Sequence, residues 1–173
     1  IVLENIHDPH NVSAILRSAD AVGIDKIYLI YNSNKFPKVG RISSGSAKKW
    51  IDIERFSTVE SCFQRLKEDR YKIYSTSIIE NKKNHSLYEL DLTKNTALVF
   101  GNEHTGVSEE VKQLADKNFM IPMYGMVQSL NVSVAVAICL YEGLRQRELK
   151  GMYNRSKYTK SELKEKSEIY SRK

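Results

Sequence analysis

This sequence of 173 residues has no long apolar run, no paired cysteines and no glycine-rich nucleotide fingerprint. Its longest apolar stretch, residues 132–140, falls well short of the roughly 20 residues a membrane-spanning helix needs, and suits a buried helix instead. No secretory signal opens the chain. It does begin at Ile1, without a methionine and already inside an apolar run, which leaves room for a trimmed N-terminal segment or domain. The two cysteines, Cys62 and Cys139, stand alone in apolar patterns, so neither a disulfide framework nor a zinc site is expected. They read as reduced thiols in the core of a cytoplasmic protein. No cluster of His, Cys and Asp calls for a metal. G-x-G-x-x-G does not occur, which excludes the usual dinucleotide turn. Internal repeats and low-complexity tracts are missing as well.

What is present is a globular balance of 41% hydrophobic and 28% charged residues, enough for one domain with a real core. The division expected is a domain over residues 1–150 followed by a basic, helical extension over 151–173. The formal net charge is +6, and a net of +4 falls from Gly151 onward. A polyanion would be met electrostatically by such a tail. A solvated, frayed helix explains the same charges equally well.

Strand and helix patterns alternate along the chain. Residues 1–3, 26–31, 50–56, 71–78, 96–100 and 119–122 read as strands. A first helix follows Pro9 and Asn11, with Ala14, Ile15, Ser18, Ala19 and Val22 on one face and Gly23 ending it. Ser57 and Glu60 fit a capping box for a helix through Asp69. Ser108 caps a helix that carries Glu109 and Glu110 in its first turn, favourable at the positive end of the helix dipole. The last core helix runs from near Asn131 to about Leu149, and its apolar sequence predicts burial on all sides. Residues 32–49 are polar and read as a long loop. The fold expected is therefore α/β, a mostly parallel sheet with helices on both faces. Ligands bind beyond the carboxyl ends of such strands.

Unusual residues sit in three of those places. After the first strand comes ENIHDPHN, with Asn11 at a helix start and Arg17 six residues on. Both could line one rim of a cleft, though an N-cap and a surface charge explain them too. After the strand at 96–100 comes GNEHTGV, where Gly101 and Gly106 would let the backbone approach a ligand around the Glu103 carboxylate. A plain strand-to-helix turn is the alternative. Finally IPM at 121–123 leads to QSLNVS at 128–133, where Ser129 and Asn131 are by default caps.

In this order and spacing the segments resemble the SpoU family of RNA ribose 2′-O-methyltransferases, a branch of the SPOUT class. The family's first motif, N-x5-R-x3-A-x-G, matches Asn11, Arg17, Ala21 and Gly23. The second matches Gly101, Glu103, Gly106 and the IPM run. The third matches Ser129 to Ser133 with Ala135 and Glu142, so that the resemblance spans residues 1–149. Within the family, the opening LENIHDPHNVSAILRSADAVGI and the GSAKKW run at 45–50 look most like the branch that methylates guanosine 18 of tRNA.

That resemblance implies a C-terminal deep trefoil knot, an exception to the usual topology rules. It implies S-adenosyl-L-methionine as cofactor, held by loops that correspond here to residues 76–78, 100–106 and 121–131. Thr76, Phe100, Gly101, Ile121, Met123, Ser129, Leu130 and Asn131 are the cofactor-binding candidates. It also implies a homodimer, each site being completed by the second subunit. Arg17, Asn11 and Glu103 become the catalytic candidates: Arg17 at the ribose hydroxyl, Asn11 holding Arg17 or the ribose, Glu103 orienting Arg17 or nearby backbone. Arginine keeps its proton up to a pH of roughly 12, so its expected work is to position a phosphate and stabilise a developing alkoxide. Arg41, Lys48, Lys49, Arg145, Arg147, Arg155 and Lys157 are candidates for binding RNA, tRNA first among substrates. Tyr124 either stacks on a base or packs as an ordinary ring. The same reaction on rRNA or on the tRNA wobble ribose, and an RNA-binding protein without catalysis, are the alternatives.

Overall fold

The structure, a computed structural model, describes residues 1–32, 47–77, 84–154, 156 and 158–171, the side chain of Lys48 excepted. The elements are β1 (Val2–Glu4), α1 (Pro9–Ala21), β2 (Lys26–Ile30), α2 (Ala47–Trp50), β3 (Asp52–Phe56), α3 (Val59–Glu68), β4 (Lys72–Thr76), β5 (His85–Ser86), β6 (Thr96–Phe100), α4 (Glu109–Leu114), β7 (Lys117–Met120), α5 (Val132–Leu149) and α6 (Lys160–Ser171). Short 3-10 turns lie at Leu87–Glu89 and Met152–Asn154.

Among the described residues every pairing between strands is parallel, in the order β3-β2-β1-β6-β4-β7-β5. A parallel sheet must be covered on both faces, and the period-two alternation of the strands does this. Leu3, Ile27, Leu29, Leu98 and Phe100 share one apolar cluster with Ile15, Leu16 and Ala19 of α1 and Val136, Cys139 and Leu140 of α5. Val2, Tyr28, Ile30, Ile73, Ala97 and Val99 share the other with Cys62, Phe63 and Leu66 of α3 and Val111 of α4. The α/β class with helices on both faces is thus as the sequence predicts. The strand order turns back between β1 and β6, the kind of place beside which open parallel sheets bind ligands.

Local chemistry corrects several boundaries. Asp8, not Asn11, caps α1: its side chain accepts from the His10 N–H, and Pro9 fills the first helical position. Thr58, not Ser57, caps α3, since its Oγ1 accepts from the Ser61 N–H at 3.2 Å. Trp50 ends the short helix α2 rather than opening β3. The expected strand at 119–122 is β7, which starts earlier and stops at Met120, leaving Ile121 and Pro122 in the following loop. β4 ends at Thr76, and Ile78 lies outside the described residues. Burial on all sides fails for α5, because Val134 and Tyr141 are about half exposed while Val136, Cys139 and Leu140 face the sheet. Gly40 and Gly45, in the expected long loop, lie outside the described residues.

The basic extension turns back on the body. Tyr158 and the Lys166 ammonium both reach the Asp25 carboxylate, the latter at 3.3 Å. The Tyr170 ring meets Trp50 edge-on at 5.2 Å, and its hydroxyl donates to the Trp50 carbonyl. Aromatic edges and one ion pair therefore hold α6 beside α2.

Replacing a helix cap costs more than replacing its exposed neighbour. Thr58→Ala is expected to lower the unfolding free energy by about 1 kcal/mol and Ser57→Ala by only about 0.3 kcal/mol. Urea midpoints at unchanged slope would check this, and equal losses would return the cap to Ser57.

Candidate active site

A cavity of about 340 Å³ opens at the carboxyl ends of β4, β6 and β7 and below the start of α5. Its volume suits a small organic ligand. Phe100, Ile121, Met123, Leu130 and Val132 give it apolar wall, while Thr76, Glu103, Lys112, Ser129 and Asn131 place polar groups around it. The turn after β6 is forced to be narrow. A Cβ on Gly101 would lie 2.1 Å from the Gly106 carbonyl carbon and from the Val107 nitrogen, a clash no rotamer relieves. Gly106 closes that turn at φ +69°, and its N–H donates to the Asn102 carbonyl.

One carboxylate joins the three loops. Glu103 accepts from the backbone N–H groups of His7 at 3.1 Å and Asp8 at 3.2 Å, which lie in the turn between β1 and α1. It also accepts from the Asn11 amide at 2.9 Å. The Asn11 carbonyl oxygen in turn accepts from the Asn131 amide at 3.0 Å. Asn131 Oδ1 then caps α5, accepting from the Ser133 and Val134 N–H groups. Each amide is used at both ends, so neither can flip without breaking a bond.

Burial alone would raise the Glu103 pKa. The hydrogen bonds from Asn11, His7, its own backbone N–H and Asp8 outweigh that and hold the carboxyl below the ordinary carboxylate value. Tyr31 beneath it is pushed the other way, first by burial and then by the Glu103 charge, and its hydroxyl donates to the Ile6 carbonyl at 2.7 Å.

All eight cofactor candidates from the sequence, Thr76, Phe100, Gly101, Ile121, Met123, Ser129, Leu130 and Asn131, line this one cavity. Asn11 and Glu103 are bonded to each other, and Glu103 orients backbone rather than Arg17. Arg17 is exposed on α1, lies outside the cavity lining and makes no hydrogen bond or ion pair with the described residues. Among the RNA candidates, Lys49 is exposed. Arg145 makes a two-pronged contact with Glu142, both distances being 2.8 Å. Arg147 donates to the carbonyls of Leu92 and Lys94, tying α5 to the segment before β6. Arg41, Arg155 and Lys157, with the side chain of Lys48, lie outside the described residues. Tyr124 and Met126 are 99% exposed, which removes the packed-ring reading of Tyr124.

Some members of the site escape the sequence reading. Asn102 donates to the Asn5 carbonyl at 2.8 Å, and Asn5 takes a left-handed conformation at φ 51° that asparagine tolerates better than most residues. The buried Glu4 carboxylate accepts the Ser108 N–H at 2.8 Å and so fixes the start of α4. A charged residue at the end of an otherwise apolar strand is the signal that marked it. Lys112 on α4 also lines the cavity.

Residues 1–141 match the SpoU rRNA Methylase family. The tRNA (guanosine(18)-2′-O)-methyltransferase of Thermus thermophilus is 44% identical over 155 residues, covering 90% of this chain and 78% of that one. The Escherichia coli protein of the same name is 39% identical, over 90% of this chain and 66% of that one. The crystal structure of the Aquifex aeolicus TrmH/SpoU tRNA modifying enzyme superposes with a TM-score of 0.89 at 40% identity, covering 99% of this chain and 86% of that one. The SpoU methyltransferase AviRb from Streptomyces viridochromogenes, solved with AdoMet, superposes at 0.75 with 26% identity, covering 84% of this chain and 59% of that one.

A depressed folded-state pKa makes Glu103 a source of stability that is full above the ordinary value of 4.5 and lost as pH falls through the depressed one. Glu103→Gln is expected to cost about 1–3 kcal/mol at pH 7. The gap between variant and wild type should narrow as the solution is acidified below the ordinary carboxylate range. Urea denaturation across that range measures it, and a gap independent of pH would mean that the bonded carboxylate is not the cause.

Proposed function

Because the chain belongs to the SpoU family of RNA methyltransferases, we propose that it transfers a methyl group from S-adenosylmethionine to the ribose 2′-hydroxyl of guanosine 18 in tRNA. The observation that carries this reading is convergence. Asn11, Glu103 and Asn131, far apart in sequence, close one hydrogen-bonded relay beside a cavity whose size and mixed lining fit the cofactor.

When bound, the cofactor supplies a methyl group already activated on sulfur. The harder part falls to the protein, since a ribose hydroxyl is a weak acid and must be aligned and polarised. The Gly101 turn brings backbone close to the ligand, and Asn131 fixes the start of α5 beside it. Phe100, Ile121, Met123 and Leu130 exclude water from the apolar part. Arg17 takes the RNA side: its guanidinium binds a phosphate next to the target ribose and stabilises the developing alkoxide, and the proton leaves to that phosphate or to water.

Arg17 projects from α1 outside the cavity of its own chain, and the neighbouring helix α5 exposes Val134 and Tyr141. This arrangement favours a homodimer in which Arg17 of one copy completes the cavity of the other. The loops at 100–106 and 121–131 would form the family's trefoil knot. The enzyme acts in the cytoplasm. Residues 1–150 are the catalytic domain, and residues 151–173, with Lys49 and the remaining basic candidates, meet the phosphate backbone.

Labelled cofactor incubated with separate pools of unmodified tRNA and rRNA should label tRNA, on the ribose of guanosine 18. Label confined to rRNA, or found on a base, would overturn the assignment. Arg17→Ala should reduce transfer roughly 100-fold or more with cofactor binding retained. Near-full turnover by Arg17→Lys would remove the guanidinium-specific role.

A further inference from the structure

Lys112 has no part in the relay, yet among the described residues it is the only cationic side chain lining the cavity. We infer that Lys112 binds the α-carboxylate of the cofactor's amino-acid portion, which makes it a specificity residue for a ligand that carries that portion. The inference rests on the cavity being the cofactor site.

Its position is fixed by the backbone. The Lys112 carbonyl accepts from the Asn118 amide at 3.1 Å, and Asn118 Oδ1 accepts the hydroxyl of the fully buried Ser75. The Lys112 N–H closes onto the Ser108 carbonyl at 3.2 Å. These bonds pin α4 to β4 and β7, where Thr76 and Phe119, the residues next to Ser75 and Asn118, also line the cavity. The side chain of Lys112 is only 22% exposed, so its stem is held against protein.

The ammonium is not committed to a buried partner. It contacts Glu109 Oε1 at 2.6 Å, but the Glu109 side chain is 76% exposed. A pair with one arm in water is weakly held and can be exchanged or shared. Charge selects what it would be exchanged for. S-adenosylmethionine carries one anionic group, the carboxylate, and two cationic ones, the sulfonium and the ammonium. Only the carboxylate gains from a lysine. Glu103 is already occupied by donors from His7, Asp8 and Asn11.

Two ligands separate this role from a merely structural one. S-adenosylhomocysteine carries the amino-acid portion, whereas 5′-methylthioadenosine lacks it and shares the adenosine. Titration calorimetry on wild type, Lys112→Met and Lys112→Arg reads the difference. Lys112→Met should bind S-adenosylhomocysteine roughly 10-fold more weakly and 5′-methylthioadenosine within about 2-fold of wild type. Lys112→Arg should recover most of the loss, and Lys112→Met should raise the KM for the methyl donor with kcat nearly unchanged. Equal weakening of both ligands, or no weakening of either, overturns the inference. If wild type binds neither ligand, the cofactor reading of the cavity itself fails, an outcome the variants cannot mimic.

Discussion

Glu103 is a half-buried carboxylate whose cost of desolvation is met by donors from two other parts of the chain. A charge in that position is tolerable only while the donors are in place. The His7 and Asp8 N–H groups fix the turn after β1, and Asn11 fixes the first turns of α1. Through Asn131 the same constraint reaches the start of α5. The cavity walls hang on these elements, so the pocket's shape follows from satisfying one anion.

The parallel sheet supplies the rest of the arrangement. Since the described strands all run the same way, their carboxyl ends gather on one edge, and the loops after β6 and β7 meet there beside the end of β4, with the turn after β1 bonded to Glu103. Glycine at 101 is then required by the nearness of the chain to itself, whatever ligand is bound. The charged residues divide accordingly. Glu4 and Glu103 are spent on backbone N–H groups, Arg145 on Glu142 and Arg147 on carbonyls, whereas Arg17 is left exposed.

Much of this was legible in the sequence. β6 and α4 follow from TALVF and the Ser108 cap as read, and α5 begins where Asn131 said it would, because such signals are local. The cavity lining was legible through motif resemblance rather than through chemistry. Asn11 shows the limit: its helical position gave no hint that its partners lie at residues 103 and 131. Ser57 against Thr58, one residue apart, and Asn11 against Asp8, three apart, were misplaced because several nearby side chains could serve equally well until the backbone chose. The half-exposed face of α5 also escaped, since an apolar sequence says what could be buried and not how much of it one chain covers. Glu4 and Asn102 were missed because their partners are backbone groups, which every residue offers.

The relay joins residues separated by 92 and 120 positions, and this bears on how the protein emerges from the ribosome. While the chain is being made, the β1–α1 turn exists long before Glu103 arrives to hold it, and α5 has no cap partner until both are present. The pocket therefore cannot assemble piecemeal behind the exit tunnel. Contacts of such long range also make folding slow, because the entropy of closing large loops is lost before the bonds form. A nascent chain halted before Asn131 would hold every strand but lack α5, leaving bare the apolar face that Val136, Cys139 and Leu140 cover, so that competence arrives late and nearly all at once.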